Sequence, residues 1–268
     1  MDQQLNDETR KAVRQHYKSI ALAGDSGCCC SSSSCCGEGN ASSPANSSSE
    51  MGYSNEEITS VPEGANMGLG CGNPPAIAGL KAGEAVLDLG SGGGFDCFLA
   101  AKQVGDVGHV IGVDMTPEMV SKARTNAARG GYINVEFRLG EIENLPVADN
   151  SIDVIISNCV INLSPDKQRV FTEAFRVLKP GGRLAISDMV ASAELPENMR
   201  KDMALYSGCV AGASVISEVE KMLHEAGFEK ISITPKDESK AFIRDWAPGI
   251  PITDYIVSAD IEGKKPKA

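Results

Sequence analysis

Nine of the 268 residues are cysteine, and they are unevenly placed. Five crowd together in the run CCCSSSSCC, as Cys28, Cys29, Cys30, Cys35 and Cys36. Four stand apart: Cys71, Cys97, Cys159 and Cys209. A lone cysteine is by default a small buried hydrophobe, and Cys97, in the helical pattern DCFLAA, fits that default. Cys71 and Cys209 lie instead in glycine-flanked stretches, NMGLGCGNPP and YSGCVAGA. Cys159 closes a strand pattern in SNCVINL. Soft thiolates select soft, thiophilic centres. Structural zinc asks for four ligands, often with paired C-x-x-C spacing, and these three cysteines contain no such pair. Trivalent arsenic takes three ligands in a pyramid and keeps a lone pair, which three dispersed thiolates match.

A second constellation is the turn Asp88-Leu89-Gly90-Ser91-Gly92-Gly93-Gly94-Phe95. Glycine lets the backbone approach a ligand closely and tolerates positive φ. The plain alternative is a tight strand-to-helix turn with no ligand. Dinucleotide binding wants a third Gly or Ala where the helix packs on the strand, and Phe95 stands there. Asp88 would also repel a pyrophosphate. A cationic cofactor without phosphates tolerates that acid, and S-adenosylmethionine carries a sulfonium and an ammonium. Asp114, at the end of the following strand pattern, can accept hydrogen bonds from ribose hydroxyls, or it can simply favour a helix N-terminus. Gly140-Glu141-Ile142 ends a third strand pattern where an adenine can lie, although Glu141 fits a solvated loop equally well.

These residues need a scaffold, and the hydrophobic periodicity supplies one. EAVLDLG, HVIGVD, NVEFRLG, SIDVIISNC and RLAISDMV read as short strands. Between them FDCFLAAKQVG, TPEMVSKARTNAARGG and SPDKQRVFTEAFRVLKPGG read as helices. Thr116 and Pro117 open the second of these, Ser164-Pro165 opens the third, and glycines close both. The alternation predicts parallel βαβ units in a doubly wound sheet, whose ligands bind beyond the carboxyl ends of the strands. LPENMRKDMALYSGCVAGA and SEVEKMLHEAGF then read as helices, and EKISITPK and DYIVSADIEG as an antiparallel edge pair. A helix is expected around Glu8 to Ala23. The following Gly/Ser/Cys-rich stretch buries too little to order itself without a ligand. Three regions result: 1–60, a helix and a flexible Cys/Ser-rich arm; 61–190, a cofactor-binding core; and 191–268, C-terminal helices and edge strands.

Composition excludes several functions. The net charge of -11 and the absence of a basic cluster argue against nucleic acid. Mean hydropathy is -0.13, and no run of about 18 apolar residues offers a membrane span. The polar, mixed-charge start lacks a secretory pattern, which predicts a cytoplasmic enzyme with reduced cysteines. His16, His109 and His224 are scattered and carry no assigned chemistry.

Val86 to Gly94, Asp114, LPVADNSIDVIISN and RVLKPGGRLAISD together resemble class I S-adenosylmethionine-dependent methyltransferases, over roughly residues 75–265. The resemblance implies a seven-stranded, mostly parallel Rossmann-like sheet. It implies that Asp88, Gly90, Ser91, Gly92 and Gly94 line the methionine end of the cofactor. Asp114 and Met115 would then hold ribose and adenine, Glu141 and Ile142 flank adenine, and Asn158 lie beside the sulfonium. The segments SVPEGANMGLGCGNPPAIAGLKAGEAVLDLGSGGGFD, SNCVINLSPDK and SGCVAGA narrow the resemblance to arsenite methyltransferases. That implies Cys71, Cys159 and Cys209 as arsenic ligands and one N-terminal cysteine in redox exchange, a role for which five compete. It also implies a thiol reductant, thioredoxin or glutathione. Two rival functions share parts of this pattern. A methyltransferase of a small organic acceptor, such as a quinone or sterol precursor, predicts dispensable cysteines. A non-catalytic metalloid-binding protein leaves the glycine turn idle and predicts no cofactor binding.

Overall fold

The alternating strand and helix patterns fold as one seven-stranded sheet in the computed structural model, which describes residues 3–23 and 43–267. In chain order the elements are α1 (Gln3–Leu22), α2 (Pro44–Glu50), α3 (Asn55–Thr59), α4 (Pro74–Ala78), β1 (Ala85–Leu89), α5 (Phe95–Val104), β2 (His109–Asp114), α6 (Pro117–Gly130) and β3 (Val135–Leu139). They continue with β4 (Ile152–Asn158), α7 (Lys167–Val177), β5 (Leu178–Ala191), α8 (Glu197–Arg200), α9 (Met203–Ser207), α10 (Ile216–Ala226), β6 (Glu229–Lys236), α11 (Lys240–Ile243) and β7 (Ile256–Lys264). Strand order is β3-β2-β1-β4-β5-β7-β6. Pairing is parallel from β3 to β5, and β7 runs antiparallel to both its neighbours. The order reverses between β1 and β4, so their carboxyl ends open the crevice where such sheets bind ligands.

The period-2 alternation of the strands divides the core between two faces. On one, Leu87, Leu89, Ile155 and Ile186 pack with Phe171, Val177 and Leu223. On the other, Val86, Val110, Val154 and Ala185 pack with Phe98, Val104 and Ala123. Each fully buried aliphatic or aromatic side chain contributes about 1.5–3 kcal/mol. A third cluster caps the carboxyl ends of the strands and contains Cys71, Cys159 and Cys209 together with Val13, Met189 and Leu205.

Several local expectations are corrected. α1 begins at Gln3, ahead of Glu8. The start of α7 is capped by Asp166, whose carboxylate accepts from Arg169 N–H at 3.0 Å, and not by Ser164-Pro165. It runs directly into β5 without a glycine stop. Thr116 occupies the N-cap of α6, but its side chain makes no capping bond; its own N–H donates to Asp114 Oδ1 at 2.8 Å. The stretch expected as one helix around Cys209 breaks into α8 and α9. Asp202 accepts from Ala204 and Leu205 N–H, which starts a new helix rather than continuing the old one. The five cysteines from Cys28 to Cys36 lie outside the described residues. No helix of the described residues is long and apolar enough to cross a membrane.

Candidate active site

Cys71 sits in the loop before α4 and is 2% exposed. Its backbone is held on both sides. Its N–H donates to Asn158 Oδ1 at 2.9 Å, its carbonyl accepts from Ser258 Oγ at 2.7 Å, and Asn158 Nδ2 donates to the Gly72 carbonyl at 2.8 Å. A side chain at Gly70 would strike Asn158 at 2.7 Å, so glycine is what lets this loop reach the end of β4. Cys159 follows that strand with φ of 58°, and its N–H donates to the Ser187 carbonyl on β5 at 2.8 Å. Cys209 follows α9 with φ of 61°. Its thiol donates to the Cys159 carbonyl at 2.8 Å. Three cysteines far apart in the chain therefore meet in one buried cluster at the carboxyl ends of the strands.

Burial pushes the Cys71 thiol up. Cys159 is pushed well up by the adjoining thiols of Cys209 and Cys71 and by burial. Both shifts favour the protonated form of these two thiols. A proton must leave with the group each displaces. The Asp188 carboxyl, on β5, lies within 4.8 Å of both the Cys71 and Cys159 sulfurs. Burial raises it to about 6, against the N–H donors of Met189 and Ile161 and the charge of Lys167.

The glycine turn lies beside this pocket. Gly90, Gly92 and Gly94 all have positive φ, of 72°, 50° and 94°. A Cβ on Gly90 would strike Val160, and one on Gly94 would meet Phe98 and Phe137 at 2.8 Å. Asp114 Oδ2 accepts from Gly92 N–H at 3.0 Å, which fixes the turn against β2. Ser91 Oγ is buried and has no hydrogen-bond partner among the described residues. Asp88 is buried, accepts from the Cys97 thiol at 3.2 Å, and stands well above the usual carboxylate range because of burial and the nearby Asp96 charge. Cys97 is therefore a core cysteine with one polar duty. Burial lifts Asp96 to about 6, although Tyr53 and Asn158 hydrogen-bond to it. Burial also raises Asp114, against the N–H donors of Thr116 and Gly92. No lysine or arginine contributes to any of these three shifts. An orphaned hydroxyl and a cluster of buried carboxylates without a cation fit a positively charged cofactor at this turn.

Asn158 joins the two halves. Besides Cys71 and Gly72, it donates to the Tyr53 hydroxyl at 3.0 Å and approaches Asp96 Oδ2 at 3.4 Å. Tyr53 in turn donates to Asp96 Oδ1 at 2.6 Å. Met115 packs partly buried against the cysteine cluster. Ile142 is buried against the sheet. Glu141 is paired with Arg14 at 3.2 Å and Arg10 at 3.6 Å of α1, and is not a free loop acid. Trp246 is 38% exposed and leans on Phe242. Tyr53, Asp96 and Asp188 went unnoticed in the sequence. Asp96 directly follows the glycine turn, which is the one signal that was available.

A family model described as methyltransferase domain matches residues 80–227. Over 263 residues the chain is 54% identical to an arsenite methyltransferase of Halobacterium salinarum, covering 97% of this chain and 67% of that one. It is 48% identical over 166 residues to an arsenite methyltransferase of Aquipseudomonas alcaligenes, covering 59% and 47%. It is 44% identical over 152 residues to a human arsenite methyltransferase, covering 53% and 40%. It thus spans half or less of the length of the latter two. Its fold is similar to that of an arsenic (III) S-adenosylmethionine methyltransferase from Chlamydomonas reinhardtii, with TM-score 0.61, 35% identity, and coverage of 84% and 74%.

Proposed function

Because the chain belongs to the arsenite methyltransferase family, we propose that it methylates trivalent arsenic held by Cys71, Cys159 and Cys209. The convergence of these three buried cysteines beside the glycine turn carries the reading. Asp88, Gly90, Ser91, Gly92 and Gly94 would hold the methionine end of S-adenosylmethionine, and Asp114 and Met115 its ribose and adenine. Glu141 and Ile142 would lie at the adenine edge, and Asn158 near the sulfonium. When bound, S-adenosylmethionine would supply an electrophilic methyl group, to which the arsenic lone pair donates as the S–CH3 bond breaks and its electron pair stays on sulfur.

The chain's own work is binding, orientation and exclusion of water. Each thiol that binds arsenic displaces a hydroxyl, and its proton leaves in the water formed. Three sulfurs on one side of arsenic leave its lone pair pointing away from them. Asn158 holds the Cys71 loop and the Asp96 side of the turn at once, so both reactants are referred to one side chain. Met189, Leu205 and Val13 pack in the same cluster as the cysteines and would keep water from the reacting atoms. The regions 1–60, 61–190 and 191–268 would divide this work into arm, cofactor core and closing face, with Cys209 on the last.

Methyl transfer commits the arsenic lone pair to a new bond and leaves arsenic pentavalent. Two thiols of the group Cys28, Cys29, Cys30, Cys35 and Cys36 would return two electrons and become a disulfide, which thioredoxin or glutathione would reduce.

The decisive experiment measures methylated arsenic products from Cys71→Ser, Cys159→Ser and Cys209→Ser proteins. Each is expected to lose at least about 100-fold in rate, since a ligand and a positioned reactant are lost together. Full activity in all three would exclude arsenic as the substrate at this site. Replacement of all five N-terminal cysteines by serine is expected to permit a first turnover and stop later ones. Unchanged multiple turnover would remove the redox role.

A further inference from the structure

Tyr53 is buried in the linker between α2 and α3, and it touches the supports of both the glycine turn and the cysteines. Its ring packs on Phe95, the first residue of α5, with centroids 4.8 Å apart. Its hydroxyl donates to Asp96 Oδ1 at 2.6 Å and accepts from Asn158 Nδ2 at 3.0 Å. Asp96 follows Phe95 directly, and no lysine or arginine acts on it among the described residues. Asn158 grips the Cys71 loop: its Oδ1 accepts from Cys71 N–H, and its Nδ2 donates to the Gly72 carbonyl. These two bonds fix which way round the amide lies. The linker holds the same loop a second time, because Asn73 Nδ2 donates to the Gly52 carbonyl at 3.2 Å.

The Asn158 amide has two N–H bonds and three acceptors in reach. They are the Gly72 carbonyl at 2.8 Å, the Tyr53 oxygen at 3.0 Å and Asp96 Oδ2 at 3.4 Å. Tyr53 takes one N–H and passes its own proton donor on to Asp96. A continuous chain results, running donor to acceptor from Cys71 N–H through Asn158 and Tyr53 to the Asp96 carboxyl. Linked hydrogen bonds polarise one another. A cation beside Asp96 favours its ionised form. The bond from Tyr53 to that carboxylate then strengthens, the Tyr53 oxygen accepts better, and the amide that carries the Cys71 loop is held more firmly. The ammonium at the methionine end of S-adenosylmethionine is such a cation.

We propose that Tyr53 is a positioning residue that couples the two substrates: through it, cofactor at the glycine turn tightens arsenic binding by the cysteines. Arsenic must then tighten cofactor binding by the same factor, since coupling between two sites is reciprocal. The inference rests on the reading of Cys71, Cys159 and Cys209 as the arsenic site and of the glycine turn as the cofactor site. Its consequence is that arsenic is held most tightly when a methyl donor is already in place.

The test titrates the full chain by calorimetry with arsenite, in the absence and presence of saturating S-adenosylhomocysteine, and then with the order of the two ligands exchanged. S-adenosylhomocysteine keeps the ammonium and has no methyl to transfer, so no turnover intervenes. In the wild type each ligand is expected to bind about five-fold or more tightly when the other is present. Tyr53→Phe keeps the ring on Phe95 and removes the hydroxyl; its coupling factor is expected to fall below about two-fold. Asp96→Asn keeps an acceptor for Tyr53 and removes the charge. It is expected to lose the coupling in the same way, and it decides the matter if Tyr53→Phe does not fold. Weaker binding of both ligands with an unchanged coupling factor would make Tyr53 a structural support and overturn the proposal, as would absence of coupling in the wild type. Failure of the wild type to bind arsenite would instead overturn the arsenic site, and failure to bind S-adenosylhomocysteine the cofactor site.

Discussion

At the scale of single residues, two of the three pocket cysteines occupy backbone conformations that side chains avoid. Cys159 and Cys209 have φ of 58° and 61°, and a non-glycine residue in the left-handed region carries about 1–2 kcal/mol of strain. Strain of this kind collects at functional sites, where the surroundings over-determine the backbone. Here β4 has just ended at Cys159, and α9 has just ended before Cys209. Both thiols are thereby turned inward at the point where a straight continuation would carry them past the pocket. Cys209→Gly and Cys209→Ala both remove the thiol, but only glycine relaxes the backbone. Chemical denaturation is expected to show Cys209→Gly more stable than Cys209→Ala by about 1 kcal/mol. The reverse order would mean that packing of the β-carbon outweighs the dihedral. The cysteines themselves were legible, because each stands in a local sequence with its own glycine or strand signal. Asp188 was not: inside ISDMV it alternates like any strand residue, and its meaning arises only when Cys71 is brought over from another part of the chain. Tyr53 was hidden for the same reason, since its partners Asp96 and Asn158 belong to other elements.

At the scale of elements, α1 closes the site from outside the sheet. Val13 is fully buried in the cysteine cluster, and Tyr17 donates to the Ser207 carbonyl at the end of α9. On its polar side Arg10 meets Glu143 at 3.2 Å, Arg14 meets Glu141 at 3.2 Å and Lys18 meets Glu118 at 2.8 Å. The sequence showed a mixed-charge helix and nothing of its partners, because these belong to the loop after β3 and to α6. The alternating βα elements were read well, since each has its own period and caps. The helix expected through Cys209 was misread because Asp202 ended one helical run and began another. The exposed Arg14 and Lys18 pairs contribute only about 0–1 kcal/mol each, and Glu143, which is buried, keeps a hydrogen bond from Ser164 Oγ when Arg10 is removed. Joint replacement, Arg10→Ala with Arg14→Ala, should therefore loosen α1 without unfolding the sheet. Because Glu141 stands at the expected adenine edge, the double variant is expected to raise the Kd for S-adenosylmethionine about three-fold. High salt should reproduce part of the effect in the wild type. An unchanged Kd, with hydrogen exchange in α1 unchanged too, would show that Val13 and Tyr17 hold the helix alone.

At the scale of the whole molecule, the buried carboxylates set how stability depends on pH. Asp96 and Asp188 both stand at about 6, against 3.8 for an unperturbed aspartate. The folded chain thus binds these protons more tightly than the unfolded chain. Their contribution is fully present below pH 3.8 and is lost as pH rises through about 6. Glu84 and Glu173 act in the opposite sense. Arg183 and Arg176 hold them below the usual glutamate range, despite partial burial. Their contribution is present above pH 4.5 and is lost as pH falls through their lower folded values. The loss from the raised carboxyls begins at pH 3.8 and the gain from the lowered ones is complete at pH 4.5, so the two sets together place maximum stability at about pH 4. Thermal unfolding is expected to give a higher midpoint at pH 5.5 than at pH 8, and Asp96→Asn is expected to flatten the difference. A midpoint that rises steadily from pH 5.5 to 8 would contradict the raised carboxyls. The same charges give the cofactor its effect on stability. At pH 8 Asp96 is ionised with no lysine or arginine acting on it among the described residues, and S-adenosylmethionine brings a cation whose sulfonium charge does not titrate. Ligand binding stabilises in proportion to affinity, and affinity for a cation is greatest when these carboxyls are ionised. The rise in midpoint on adding S-adenosylmethionine is therefore expected to be larger at pH 8 than at pH 5.5. In Asp96→Asn the two rises should converge, which assigns the pH dependence to the carboxylates behind the glycine turn and not to the thiols in front of it.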